Sequence, residues 1–170
     1  MIDLDLFQFA APQSTGVDYY LRVLKAVGLE VGLPSEALEP WKEKEKSKGI
    51  LRVSLVRHPL DFMYKGWQLQ KKQHPMTPNF CDCMLLYVRG NCSVNVAKIY
   101  ESYDANVVQR WEDCPWALIE FFDSLGIPRS LSMRARSVEK EVSVIPQLPK
   151  FLLEEFKQLE QEVYNRYDYW

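Results

Sequence analysis

Neither an excess of one charge nor an abundance of cysteine marks this sequence. Its 170 residues carry 21 Lys and Arg against 23 Asp and Glu, which gives a formal net charge of −2. This near-neutral balance argues against a broad nucleic-acid-binding surface and against a polybasic membrane anchor. The 4 cysteines are too few for a disulfide scaffold, so we expect reduced thiols.

Long hydrophobic runs are also missing. No apolar segment approaches the roughly 20 residues that a helix needs to cross a bilayer. Residues 1–5 contain two acids and no positively charged segment, so they do not have the pattern of a signal peptide. We therefore expect a cytoplasmic protein without a membrane span, folded as a single domain over residues 1–170.

The cysteines lack the spacing of a structural zinc site. Cys81 and Cys83 form C-x-C, and Cys92 and Cys114 follow at long intervals, whereas zinc sites use paired C-x-x-C knuckles. On a helix, Cys81 and Cys83 would also point to different faces. The sequence therefore predicts buried thiols and no metal.

Strand-like and helix-like segments alternate along the chain. Residues 4–10, 49–56 and 106–111 are apolar or β-branched enough to form buried strands. Helical spacing follows at 17–27, from Pro59, at 79–88, at 93–103, from Pro115 and along a final helix through Leu152, Phe156, Leu159 and Val163. Residues 127–149 read mostly as loop. This alternation predicts an α/β fold with a mainly parallel sheet flanked by helices.

Two predicted strand ends favour an anion. The loop after the first strand precedes a helix N-terminus, where backbone N–H groups and the helix dipole attract negative charge. Ser14 and Thr15 add hydroxyl groups, and Gly16 permits close backbone approach, although a simple helix cap explains the same residues. Arg57 follows the second strand, where it could bind a phosphate or form a salt bridge, and Lys65 lies two helical turns later.

Four segments in this order resemble those of the sulfotransferase family. Residues 12–16 resemble the P-[KR]-[ST]-G-[TG] loop, and residues 57–59 resemble the R-[DN]-P that ends a strand. Residues 107–113 are similar to the family's v-x-R-Y-E-D strand, and residues 118–128 to its helix ending in F-L-G-I-P. The resemblance implies a P-loop-like sulfotransferase architecture that covers nearly the whole chain.

The resemblance implies 3′-phosphoadenosine-5′-phosphosulfate (PAPS) as donor, PAP as product, and no metal. It also implies a small-molecule or carbohydrate acceptor with a hydroxyl or amine group. By position, Arg57 and Lys65 would bind the 3′-phosphate, and Arg134 and Arg136 fall near the family's late basic loop. The residues implied to cradle the 5′-phosphosulfate are Gln13, Ser14, Thr15, Gly16 and Val17.

The sequence departs from the family pattern at several positions. Gln13 stands where the family has a loop Lys or Arg, Thr15 replaces a glycine, and Lys65 replaces a serine. The acceptor base has two candidates, Glu39 and His58. These departures motivate a second hypothesis, a catalytically degenerate protein that binds a nucleotide or partner without turnover.

A third hypothesis is a nucleoside or nucleotide kinase relative. It is disfavoured because the chain contains no G-x-x-x-x-G-K-[ST] motif. For the acceptor, the aromatic residues Trp41, Tyr64, Trp67 and Trp116 could line an apolar or sugar-stacking pocket, although core packing is the commoner role of such residues.

Overall fold

The computed structural model describes residues 2–4, 7–29, 38–40, 51–91 and 95–169. The chain forms two compact units. The first unit comprises Met1–Arg57 and Ser102–Glu141, and the second comprises His58–Glu101 and Val142–Trp170. None of the helices in the described ranges is long and apolar enough to cross a membrane. The single domain expected from the chain length stays a prediction.

One sheet of four short strands lies in the first unit. The strands are β1 (Ile2–Leu4), β2 (Phe7–Phe9), β3 (Arg52–Val56) and β4 (Val107–Arg110). They lie in the order β1-β2-β3-β4, with β1 antiparallel to β2 and with β2, β3 and β4 parallel. Together with the helices, the three parallel strands confirm the α/β class predicted from the sequence.

The strand predicted over residues 4–10 differs from the observed one. Leu4 belongs to β1, where it pairs in antiparallel register with Phe7 of β2, and residues 5 and 6 lie outside the described residues. The apolar residues of this segment are therefore divided between two strands, β1 and β2. By pairing with β2, β1 covers an edge that three parallel strands would leave open.

Eight α-helices are present in the described residues. They are α1 (Val17–Val27), α2 (Pro59–Gln73), α3 (Phe80–Leu86), α4 (Val96–Ser102), α5 (Trp116–Ser124), α6 (Arg129–Ser132), α7 (Lys150–Leu159) and α8 (Gln161–Arg166). Pro59 occupies the first position of α2, as its fixed φ predicts. Gly28 ends α1 with a φ of 91°, a conformation that favours glycine.

The core of the first unit lies between the sheet and the helices α1 and α5. Phe9 of β2 stacks on Tyr20 of α1 with 3.8 Å between the ring centroids. Phe7 meets Phe121 of α5 edge to face at 5.1 Å. Burial of these aromatic side chains fixes α1 against the carboxyl end of β2, and this in turn fixes the loop that joins them.

The second unit is organised around the buried carboxylate of Glu160. Glu160 Oε1 accepts hydrogen bonds from the Tyr87 hydroxyl and, at 3.1 Å, from the backbone N–H of Val96. Glu160 Oε2 accepts from the N–H of Ala97 at 3.2 Å. The carboxylate thereby satisfies N–H groups at the start of α4, where a helix has no acceptors of its own.

The final helix predicted from the sequence is in fact two helices. The helix is interrupted at Glu160, which separates α7 from α8. Leu152, Phe156 and Val163 are buried as predicted, but Leu159 is exposed. The break changes the helical phase, so a single amphipathic stripe does not describe this segment.

Residues 127–149 were expected to be mostly loop, which holds for residues 138–149, whereas residues 129–137 are helical. Arg129–Ser132 form α6, and Met133–Ser137 continue as a 3-10 turn. Ala135 is fully buried in the first unit, and Ser132 Oγ donates to Asp123 Oδ1 at 2.5 Å. These two anchors order a segment whose composition alone does not predict a helix.

Candidate functional site

The loop between β2 and α1 is closed by its own hydrogen bonds. Gln13–Thr15 form a 3-10 turn, in which the Thr15 hydroxyl and backbone N–H both donate to the Pro12 carbonyl, at 2.5 and 3.0 Å. Gln13 is exposed, whereas Ser14 and Thr15 are buried. The Thr15 hydroxyl is thus committed inside the loop, and neither serine nor threonine caps α1, since the N-cap is Gly16.

Gly16 is required where the loop meets Trp111. Its φ is 103°, in the left-handed region that side chains rarely adopt. A Cβ at this position would lie 2.2 Å from Cζ3 of Trp111. The sequence predicted close backbone approach at Gly16, and the nearest group is the indole that follows β4.

Arg57 joins the loop to the neighbouring strand. It follows β3 directly, and its residue is only 3% exposed. Its Nη1 donates to the Ser14 carbonyl at 3.3 Å, and its guanidinium carbon lies 4.5 Å from the centroid of the Trp111 ring. The ends of β2, β3 and β4 therefore meet at one edge of the sheet, as parallel strands dictate.

Lys140 is a fourth component of this cluster, and sequence reasoning missed it. Its Nζ donates to the carbonyls of Glu112 and Cys114, at 3.0 Å in each case. The same Nζ lies 5.1 Å from the Trp111 ring centroid. No local sequence pattern connects Lys140 with Trp111, because the two residues are far apart in the chain. Their contact depends on the path that residues 127–140 take within the first unit.

Lys140 titrates in a mixed electrostatic environment. Burial is the largest influence and lowers the pKa of the Lys140 ammonium below its usual range. The positive charge of Arg57 also lowers this pKa, whereas Cys114, Glu112 and Asp113 raise it.

Buried neutral side chains lie in the same unit as the two cations. Burial is the main cause that raises the pKa of Tyr19 and of Cys114 to about 12. The hydroxyl groups of Tyr19 and Tyr20 are buried and have no hydrogen-bond partner in the part of the chain that the structure describes. Tyr19 packs edge to face on Trp111 at 5.0 Å. At neutral pH the Tyr19 hydroxyl and the Cys114 thiol are therefore uncharged.

Arg134 and Arg136, implied by the resemblance to bind the donor, lie in the 3-10 turn of the first unit. Both side chains are exposed. The guanidinium of Arg136 lies 5.1 Å from the Trp116 ring, which is itself 49% exposed. Val17, the last residue of the implied cradle, is buried as the first residue of α1.

The remaining implied site residues occupy different surroundings. Glu39 is exposed in the first unit. His58 belongs to the second unit, where its ring meets those of Tyr164 and Tyr169 edge to face, at 5.3 Å in both cases. Lys65 lies on α2 of the second unit. His58 thus has a packing role in the structure, and Arg57 is the residue that contacts the loop.

Some of the aromatic residues suggested for an acceptor lie in the second unit. Tyr64 stacks on Trp67 with 5.5 Å between centroids. Trp67, Phe80 and Met84 line a cleft of about 370 Å³. Trp41 lies outside the described residues. The cleft is apolar in character and belongs to this unit alone.

Metal-ligating side chains do not cluster in the described ranges: no group of three or more His, Cys, Asp or Glu residues could hold an ion there. No protein-family model, curated protein or solved structure matches this chain.

Proposed function

We propose that this chain is a sulfotransferase that binds PAPS at the loop between β2 and α1. It would transfer the sulfuryl group to a hydroxyl or amine of a small-molecule or carbohydrate acceptor. One observation carries the proposal: Arg57 Nη1 lies 3.3 Å from the Ser14 carbonyl, which joins the two strand ends that the sequence singled out for anion binding.

The backbone of this loop suits a phosphosulfate group. The first N–H groups of α1 have no acceptors within the helix, and the helix dipole makes this end positive. The exposed amide of Gln13 offers a further hydrogen-bond donor. Arg57 donates a hydrogen bond to the Ser14 carbonyl and adds a buried positive charge next to the loop.

Sulfuryl transfer is an in-line displacement. The acceptor oxygen or nitrogen forms a bond to sulfur while the bond from sulfur to the bridging phosphate oxygen breaks. The electron pair of that bond leaves with the phosphate of PAP, and the acceptor loses a proton to a base. The site residues would hold donor and acceptor in line and stabilise the charge that grows on the phosphate. Glu39 and His58 stay the candidates for the base.

A second function is favoured by one specific residue. Gln13 is a neutral amide at the position where the resembling family has a cation. Losing such a group can cost on the order of 10²–10³ in rate, by analogy with an oxyanion-hole donor. A protein that binds PAP or PAPS without turnover is therefore the alternative, and it uses the same donor site.

Calorimetric titration with PAP, followed by assay with labelled PAPS and an acceptor panel, tests both functions. Micromolar PAP binding with sulfated product supports the sulfotransferase, and the same binding without product supports the alternative. Arg57→Lys should weaken PAP binding, because an ammonium does not reproduce the guanidinium geometry. Arg166→Lys, at an exposed arginine of α8, is the matched control. Absence of PAP binding, or equal affinity in both variants and the wild type, would remove the donor-site assignment.

A further inference from the structure

The proposed site lacks an exposed positive charge in the loop itself. Gln13 is exposed at the loop surface but neutral, and Arg57 is charged but only 3% exposed. An anion that arrives from solvent therefore meets no cation at the loop position where one is expected. A second cation near the same indole would supply the missing charge.

Lys140 has the position and the donor capacity for this role. It is partly exposed, while the Trp111 ring that it covers is buried. An ammonium has three N–H donors, and Lys140 uses two of them for the carbonyls of Glu112 and Cys114. Among the described residues, no carboxylate lies within ion-pair distance of its Nζ and no acceptor takes the third donor.

We propose that Lys140 is a phosphate-binding residue that supplies the positive charge that Gln13 does not. The inference rests on the proposed donor site and deepens it: the ligand that this pair of cations fits is a group with at least two negative charges, such as a phosphate or phosphosulfate. Lys140 would contact the anion directly, and the buried Arg57 would add its charge at longer range.

The charge distribution favours such a ligand over a monoanion. Arg57 and Lys140 both lie near 5 Å from the centroid of one ring. They are therefore within about one Debye length of each other, so their repulsion is only partly screened. A dianion bound near both charges would relieve that repulsion more than a monoanion would. Glu112 and Asp113 oppose this effect, but both are exposed and therefore well screened.

The test uses Lys140→Met and Lys140→Arg, with Lys150→Met as the matched control at an exposed lysine of the second unit. Lys140→Met should weaken PAP binding about tenfold, as expected for one charge-assisted hydrogen bond, whereas Lys140→Arg should keep most of the affinity. Lys150→Met should bind like the wild type. If the wild type binds PAP and Lys140→Met matches Lys150→Met, the inference is overturned while the donor site stands.

Two further measurements separate binding from structure, because Lys140 also ties two carbonyls together. In the Lys140→Met background, Gln13→Lys should restore PAP affinity, although it cannot restore those hydrogen bonds. In the wild type, PAP should protect Lys140 but not Lys150 from acetylation read out by mass spectrometry, which needs no variant to fold. Absence of both rescue and protection would assign Lys140 a structural role only. If the wild type does not bind PAP at all, it is the proposed function that fails.

Discussion

The backbone of Gly16 packs directly against the indole of Trp111, so closely that an added Cβ would lie 2.2 Å from a ring carbon. This contact joins the loop after β2 to the residue that follows β4. The same indole carries the guanidinium of Arg57 at 4.5 Å and the ammonium of Lys140 at 5.1 Å. Trp111 is therefore the surface on which the candidate site is assembled.

Gly16→Ala should destabilise the protein by about 2–4 kcal/mol, since the new methyl group overlaps a buried ring and a positive φ strains alanine. The matched control is Gly28→Ala. Its φ of 91° is equally unfavourable, but nothing lies within 4 Å of the added methyl group, so we expect a loss of about 1 kcal/mol. Urea denaturation of both variants measures the difference. Equal losses of stability in the two variants would mean that Trp111 moves aside to accommodate the methyl group at little energetic cost.

Glu160→Gln should destabilise the chain by about 2–4 kcal/mol, because the new amide group would turn a donor toward backbone N–H groups that need an acceptor. Tyr87→Phe removes the hydroxyl that donates to Glu160 and accepts from the N–H of Val96, but that N–H keeps Glu160 as an acceptor, so a loss of about 1–2 kcal/mol is expected. Glu155→Gln, exposed on α7, is the control. A double-mutant cycle between positions 87 and 160 should give a coupling energy, and strict additivity would contradict the assigned network.

Stability should fall as the pH rises above 9, with Cys114 as one contributor. Burial raises the pKa of this thiol from 9.0 in the unfolded chain to about 12 in the folded protein. Between these values the unfolded state releases the proton and the folded state keeps it, so the contribution is full below pH 9 and declines above it, by about 1.4 kcal/mol per pH unit.

Comparison with Cys114→Ala isolates this contribution from those of the buried tyrosines. Below pH 8 the variant should be less stable than the wild type, because it loses buried volume. Between pH 9 and 10.5 that difference should shrink, as measured by denaturation at each pH. A constant difference over this range would show that the thiol titrates alike in both states.

Gln13→Lys in the wild-type background should raise PAP affinity about three- to tenfold, since a charged donor replaces a neutral one at an exposed loop position. The lysine also opposes the dipole of α1, which should cost a few tenths of a kcal/mol of stability. Gln73→Lys, exposed at the end of α2, is the control. A folded Gln13→Lys protein with unchanged affinity and rate would place the sulfate away from this loop.

The sequence predicted those features of the fold that depend on the backbone preferences of single residues or on short hydrophobic segments. Gly28 ends α1 and Pro59 begins α2 because each residue restricts or permits particular backbone angles at its own position. The parallel strands followed from apolar runs, and the meeting of Arg57 with the loop followed from the rule that parallel strands end at one edge.

Features that depend on distant partners could not be predicted in this way. The break at Glu160 arises because its carboxylate binds the start of α4, about sixty residues earlier in the chain. The position of Lys140 over Trp111 depends on the burial of Ala135, which folds residues 129–137 onto the first unit. The pattern of hydrophobic residues therefore predicts neither the Glu160 hydrogen bonds nor the contact of Lys140 with Trp111.

Trp111 places an intrinsic fluorophore within the candidate site. Indole emission depends on nearby charge and on solvent contact, and this ring is 4% exposed with two cations beside it. An anion that changes the field of Arg57 and Lys140 would shift or quench its fluorescence. Trp116, half exposed beneath Arg136, would respond to the solvent instead. If the loop binds an anion, a change in Trp111 emission would report it in unlabelled protein, on the timescale of stopped-flow mixing, alongside the emission of the four other tryptophans.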